Sequence, residues 1–319
     1  MDLVSGAGRA LQVCLGVKPA EVVLVVCDDR TLDLGQAFYS AARGLGAEAL
    51  LMVKGEGTRD GEEPPAAVAR AMAEAHVVVM PTTYSLSHTS ARRAACARGA
   101  RIASMPGITA DVMARALQAD YHVVARRSQV LAERLTRART ARLVSKAGTD
   151  LTVSLEGREG HADTGLYLLP GSFGNLPAGE AYIAPLEGTA RGVVVIDGSL
   201  LGERVDEPVR VWVEDGHVVR VEGGRVAAEL RRLLDEVGGE AGNLAELGIG
   251  TNDVATITGN VLEDEKVLGT VHVAFGDNAS MGGRVEVPLH LDGVITSPTL
   301  ILDGEVVLQE GRVVGVQTD

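Results

Sequence analysis

The sequence predicts an α/β protein, with an open parallel α/β sheet in its N-terminal part and an α+β, mainly antiparallel region after it. Two observations carry this prediction. Up to Lys146, short β-branched runs alternate with amphipathic stretches, and the clearest run is EVVLVVC at 21–27. A continuous apolar run of that length reads as a strand buried on both faces, as in a parallel sheet. After Gly148 the texture changes to strict apolar–polar alternation, first in TDLTVSLE at 149–156, with the turn dipeptides Asp197-Gly198 and Asp215-Gly216 between later runs. Alternation interrupted by such dipeptides reads as half-buried strands joined by hairpins.

In order along the chain, residues 3–16 carry apolar positions at helical spacing, and strand 21–27 ends in Asp28-Asp29. A helix is expected over 33–44, a strand over 47–53, and a helix beginning near Pro64-Pro65, where proline is tolerated. Further strands follow at 76–80 and 100–104, with a helix over 87–98 between them. Right-handed crossovers would place the strand ends at Asp28, Pro81 and Met105 on one carboxyl edge, the usual ligand side. Residues 110–146 read as one long helix or two, with Arg126, Arg127, Arg134, Arg137, Arg139 and Arg142 on a solvated face.

In the second part, strands are expected at 181–186, 192–196, 209–214 and 217–222, then an amphipathic helix over 225–237 stopped by Gly238-Gly239. Strands return at 272–275, 285–291, 299–302 and 305–308. The expected domains are residues 1–146, Rossmann-like, and 147–319, metal-binding and catalytic, with the site in the cleft between them.

Composition narrows the class. Of 319 residues, 46% are hydrophobic and 23% charged, ordinary for a soluble globular chain. A formal net charge of −13 opposes binding to nucleic acid or an anionic membrane, and 3% aromatic residues leave little for base stacking. Cys14, Cys27 and Cys96 are far apart and form no CxxC pair, so they read as reduced thiols of a cytoplasmic protein. The start, MDLVSGAGRALQVCLG, lacks the basic segment and clean apolar core of a signal peptide.

The chemistry concentrates in the second part. His290-Leu291-Asp292 would put an imidazole and a carboxylate on the same face of a strand, where a metal could sit between them. His272 stands one hairpin away. A lone strand histidine is more often a hydrogen-bonded core residue than a ligand, but an HxD with a second histidine nearby favours a metal. Glu180 (in NLPAGEAYIAP) and Glu246 (in ELGIGTN) lie in stretches otherwise poor in charge. A solvated turn would account for either alone, yet a carboxylate in such surroundings needs a counter-charge, and a cation is a candidate. With Glu265 added there are oxygen donors enough for two metals. His88, at a helix start after the strand at 76–80, could be a surface residue, yet it lies on the expected carboxyl edge, where active-site groups collect; His161 could be a loop residue between glycines. His76, His122 and His217 read as structural or exposed. GSFGNLPAGE at 171–180 lacks the GK[ST] ending of a phosphate loop.

From Pro177 to Asp292 the chain resembles the thermophilic leucyl aminopeptidases of the aminopeptidase T family. PAGE-x-Y-x-AP at 177–185, the Glu246 segment, H-x-A-x-G at 272–276 and H-x-D at 290–292 match in order. The resemblance implies that Glu180, Glu246, His272, His290 and Asp292 are metal ligands or catalytic carboxylates, and that the protein is a dimer. Glu265 is the nearest counterpart of an acid that this family uses ahead of the first histidine, at a different spacing. The family's catalytic tyrosine, seven residues after that histidine, falls at Ala279. The 2,5-dihydroxypyridine dioxygenases are similar too, and imply one Fe(II) held by His272, His290 and Asp292, with histidines outside the metal shell moving protons; His88 and His161 are their candidates here.

The leading expectation is a metal-dependent hydrolase acting on a peptide N-terminus or small amide, with Zn(II) or Co(II) activating water and Glu246 as general base. The alternative is an Fe(II) ring-opening dioxygenase of a small hydroxylated N-heteroaromatic. A metal-free binding protein on the same fold is the third.

Overall fold

A computed structural model describes residues 2–315. The chain folds as two compact units, Met1–His122 with Gly165–Ala178, and Val123–Thr164 with Gly179–Asp319.

The first unit holds a five-stranded sheet in the order Glu48–Lys54, Val22–Asp28, Val77–Met80, Arg101–Ser104, Phe173–Asn175. Every pairing is parallel. Its central strands are buried along their length, as the continuous apolar runs require. Leu24, Val26, Val78, Met80 and Ile102 pack with Val68 and Met72 of the helix Ala66–Glu74 and Ala91 and Ala95 of the helix Ser90–Ala97. The latter helix starts at Ser90, not at residue 87, because the Thr89 hydroxyl accepts from the Arg92 amide at 3.1 Å and caps it. At the carboxyl edge, buried Asp28 accepts from the Thr83 amide at 2.6 Å and from its hydroxyl at 2.9 Å, tying two strand ends together. His76 is structural, accepting from the Val22 amide at 3.0 Å.

The second unit holds two antiparallel sheets. One has eight strands in the order His217–Glu222, Val209–Glu214, Arg191–Ile196, Asp150–Ser154, Thr140–Val144, Thr299–Leu302, Glu305–Gln309, Arg312–Val313. The other has seven, in the order Glu203–Arg204, Ser199–Leu200, His290–Ile295, Val271–Gly276, Leu244–Gly250, Glu180–Ile183, His161–Asp163. One hydrophobic core joins them: Leu143, Val153, Val194 and Val211 from the larger sheet, and Ile183, Leu247, Ile249, Val273 and Phe275 from the smaller. At Gly293 the sheets approach so closely that a Cβ would lie 2.4 Å from Ile196 Cδ1. The hairpin at Asp215-Gly216 has both residues at positive φ, 48° and 79°, as a two-residue turn demands. The helix Arg225–Val237 ends at Gly238 with φ 68°.

Four expectations need correction. The segment 110–146 does hold two helices, Ala110–Ala116 and Tyr121–Arg137, but it ends in the strand Thr140–Val144 and not in helix. That strand buries Ala141 and Leu143 in alternation and pairs with Asp150–Ser154, so Lys146 lies in the connection of a hairpin inside the second unit and the division between units falls elsewhere. Its arginines are mostly exposed, but Arg127 is buried, with Nη1 3.3 Å from Thr251 O and 3.4 Å from Asp253 Oδ1. The strand expected at 285–291 begins only at His290, after Pro288, which has no amide hydrogen to give a ladder. Cys14 and Cys27 are buried. Among the described residues no helix is long and apolar enough to cross a membrane.

Phe275 has no exposed surface and sits on the core face of the smaller sheet. We expect Phe275→Ala to cost about 3–5 kcal/mol, transfer and cavity contributions together; denaturant unfolding with an unchanged m-value measures it.

Candidate metal centre

The seven-stranded sheet sorts its residues by period two. On its inner face Ala181, Ile183, Leu247, Ile249, Val271, Val273, Phe275 and Ile295 join the core. The alternate positions carry the polar groups. Register sets them side by side: Glu246 lies opposite Ala274, and Ala274 opposite Asp292. Gly248 lies opposite both His272 and Tyr182, and Glu180 opposite both Gly250 and Asp163. A bulge between Leu244 and Glu246 lets Leu244 join the core while Glu246 faces the polar side.

Small residues leave the room. A Cβ on Gly248 would lie 2.0 Å from His272 Nε2, and one on Gly250 would lie 2.0 Å from Val267 O. The imidazole of His272 therefore lies over the strand at Gly248, a position with no side chain.

His272 is fully buried, with Nε2 3.2 Å from Glu246 Oε1 and 3.3 Å from Glu180 Oε2. His290 approaches the other oxygen of the same carboxylate, Nε2 to Glu246 Oε2 at 3.2 Å, and Asp292 Oδ1 at 3.5 Å. Its Nδ1 lies 2.8 Å from Asp277 O, so Nδ1 donates to that carbonyl and Nε2 is the atom offered to the acids. Two sets of donor atoms result, each within 4.8 Å of one another: Glu246, His290 and Asp292, and Glu180, Glu265 and His272. Glu180 and Glu246 are thus buried donors and not solvated turn residues.

These residues fit a divalent cation. One N–H on His272 Nε2 faces two carboxylate oxygens and can serve only one well; Glu180 Oε2 has no hydrogen-bond partner among the described residues. A cation in place of that proton would satisfy both. Protonation reports the same excess of acid. Burial alone would lower His272, but the hydrogen bond to Glu246 and the charges of Glu180, Glu246 and Asp292 push it up to about 9. Burial is likewise overcome at His290, which Asp292 and Glu246 push up to about 12. Burial would raise Glu246, but hydrogen bonds from both imidazoles hold it well below the usual carboxylate range. Glu180 is pushed by burial up to about 8, against the pull of Lys266.

Lys266 was not foreseen. Its ammonium is buried, 2.6 Å from Glu180 Oε1 and 2.5 Å from Glu265 Oε1. The signal was a lysine directly after three acids, EDEK. The first two of these acids are structural: Glu263 Oε1 accepts from the Thr256 amide at 2.9 Å, and Asp264 from the Thr258 and Gly259 amides at 2.7 and 2.9 Å.

His161 does not lie in a loop. It occupies the sheet's edge strand, opposite Tyr182, the two rings 5.3 Å apart and tilted by 35°. His88 belongs to the first unit, exposed in the turn before the helix Ser90–Ala97, its carbonyl accepting from Arg93 Nη1 at 2.9 Å. Ala279 lies exposed in the short turn Ala279–Met281.

A family model described as NicX, 2,5-dihydroxypyridine 5,6-dioxygenase, matches residues 2–315. A 2,5-dihydroxypyridine 5,6-dioxygenase of Pseudomonas putida (strain KT2440) is 27% identical over 263 residues, covering 78% of this chain and 73% of that protein. The structure of a 2,5-dihydroxypyridine dioxygenase from Pseudomonas putida KT2440 matches with a TM-score of 0.81 and 23% identity, over 99% of this chain and 98% of that one. Wild-type AmpT from Thermus thermophilus matches with a TM-score of 0.71 and 19% identity, over 98% of this chain and 99% of that one. At such identity the two structures speak for the fold alone, so the aminopeptidase resemblance supports the architecture and not hydrolysis.

Two outcomes follow from the geometry. Gly248→Ala should displace the His272 ring and weaken Co(II) binding by roughly 10–100-fold, the range seen when support around a metal ligand is lost; calorimetric titration reads it. In metal-free protein, His272 is raised from 6.5 to about 9, so its contribution is complete below about 6.5 and is lost as pH rises through about 9. Glu180, raised to about 8, acts in the same direction. The melting temperature of chelated protein should therefore fall from pH 6.5 to 9, and the gap to metal-loaded protein should widen.

Proposed function

The chain belongs to the NicX family of 2,5-dihydroxypyridine 5,6-dioxygenases, and from that premise we propose that it is a ring-opening dioxygenase of a small dihydroxylated N-heteroaromatic, with 2,5-dihydroxypyridine as the first substrate to try. The observation that carries this reading is the convergence of His272 Nε2 and His290 Nε2 on the two oxygens of Glu246, with Asp292 beside them.

Two imidazoles and one carboxylate are the donor set of many non-haem Fe(II) oxygenases. His272, His290 and Asp292 would hold the ion, with Glu246 between the imidazoles. When bound, Fe(II) supplies the one-electron chemistry that lets oxygen react with an electron-rich ring. The chain's own residues do the rest. The Asp277 carbonyl fixes the tautomer of His290, so that Nε2 presents a lone pair. Buried Glu246 keeps the site anionic and favours a metal cation over protons. The tilted pair of His161 and Tyr182, on the polar face of the same sheet, offers a flat surface and a proton-exchanging nitrogen for a hydroxylated ring. We assign proton transfer to His161.

The hydrolase reading has no comparable support: a catalytic phenol is missing at Ala279, and the aminopeptidase likeness is one of fold.

Protein stripped of metal and reloaded with Fe(II) under argon should consume about one O₂ per 2,5-dihydroxypyridine once air is admitted. His290→Ala should lower this by more than about 100-fold, beyond the usual loss for a residue outside the metal shell. His161→Ala should lower the rate while leaving iron content unchanged. No oxygen uptake, together with cobalt- or zinc-dependent release of leucine from a peptide, would replace this reading with the hydrolase.

A further inference from the structure

We propose that Lys266 is the resident second cation of this centre: its ammonium, clamped between Glu180 and Glu265, fills the acidic half that would otherwise take a second divalent ion, and limits the centre to one metal. This rests on the metal reading of His272, His290 and Asp292 given above.

The polar face carries two sets of metal donors, and they differ in one respect. Among the described residues, no ammonium or guanidinium is paired with the set of Glu246, His290 and Asp292. The set of Glu180, Glu265 and His272 already has one: Lys266 Nζ stands 2.6 Å from Glu180 Oε1, 2.5 Å from Glu265 Oε1 and 3.9 Å from Asp163 Oδ2. A divalent ion bonds carboxylate oxygen at about 2.0–2.2 Å. An ion using those same two oxygens would have to occupy the volume of the ammonium. Were both present, two cations would face each other a few ångströms apart in a buried site, where repulsion is poorly screened.

The lysine cannot readily leave. The residue is 1% exposed. Its backbone is held at both ends of the peptide unit: the Lys266 amide donates to Glu263 O at 2.9 Å, and its carbonyl accepts from the Asn252 amide at 2.8 Å. The chain at 266–267 is laid directly on Gly250, where a Cβ would lie 2.0 Å from Val267 O and 2.9 Å from the Lys266 carbonyl carbon. Gly250 is the residue opposite Glu180 in the sheet. A missing side chain at 250 thus admits the lysine to the carboxylates.

The test counts metal and needs no turnover. Metal-stripped wild-type protein is titrated with Co(II) calorimetrically, and cobalt per folded chain is measured after gel filtration. One equivalent is expected. Two equivalents would overturn the role of Lys266 while leaving the metal reading intact, and none would sink the metal reading itself. Lys266→Met, and Lys266→Gln, which keeps a donor for one carboxylate, are each produced in cobalt-supplemented medium, so that an incoming ion can replace the lost charge. Two cobalt ions per folded chain are expected in each. One cobalt, or failure of both variants to fold even with cobalt, overturns the proposal, because the ion then does not substitute for the ammonium.

Discussion

Glu180 and Glu246 are buried on one face of a seven-stranded sheet, with Glu265 and Asp292 beside them. Carboxylates taken out of water are costly unless cations meet them. That requirement explains most of what surrounds them. His272 and His290 turn their Nε2 atoms inward, Lys266 is drawn beneath the surface, and glycines at 248 and 250 open the space that the imidazole and the lysine-bearing chain occupy. The opposite face of the same strands is wholly apolar and seals against the larger sheet. The rigid core and the polar face are therefore two readings of the same alternating strands.

The same physics decides which parts were legible beforehand. Strands such as Val22–Asp28 and the hairpin Val209–Glu214 with His217–Glu222 are specified locally, by burial pattern and by a two-residue turn, and were read closely. Thr140–Val144 follows a long helix and is fixed by its partners on both sides, Asp150–Ser154 and Thr299–Leu302, the second of which is far away in sequence. His161–Asp163 and Phe173–Asn175 are three residues each, too short to show any period. For the candidate site, residue types were visible and pairings were not. HxD on one strand is plain in the sequence, and so are Glu180, Glu246 and His272 as acids and an imidazole in stretches poor in charge. That Glu246 would receive both imidazoles depends on the register of three strands, and Lys266 was hidden because a lysine among acids usually means a solvated turn.

Fold and activity separate clearly here. A dioxygenase structure and an aminopeptidase structure both align over nearly the whole chain. The scaffold is thus common to both. Activity belongs to the site that a member carries on this scaffold and is not given by superposition.

The bulge between Leu244 and Glu246 has a consequence for how such chains can diverge. Because neighbouring residues of a strand point to opposite faces, the extra residue at this spot is what brings Glu246 round to the imidazoles while Leu244 stays in the core. The centre is consequently encoded in spacing as well as in identity. Substitutions along this strand can be absorbed one at a time, but loss of a single residue there would exchange inside for outside. Insertions and deletions in this lineage should therefore gather in the connections between strands and spare residues 244–250.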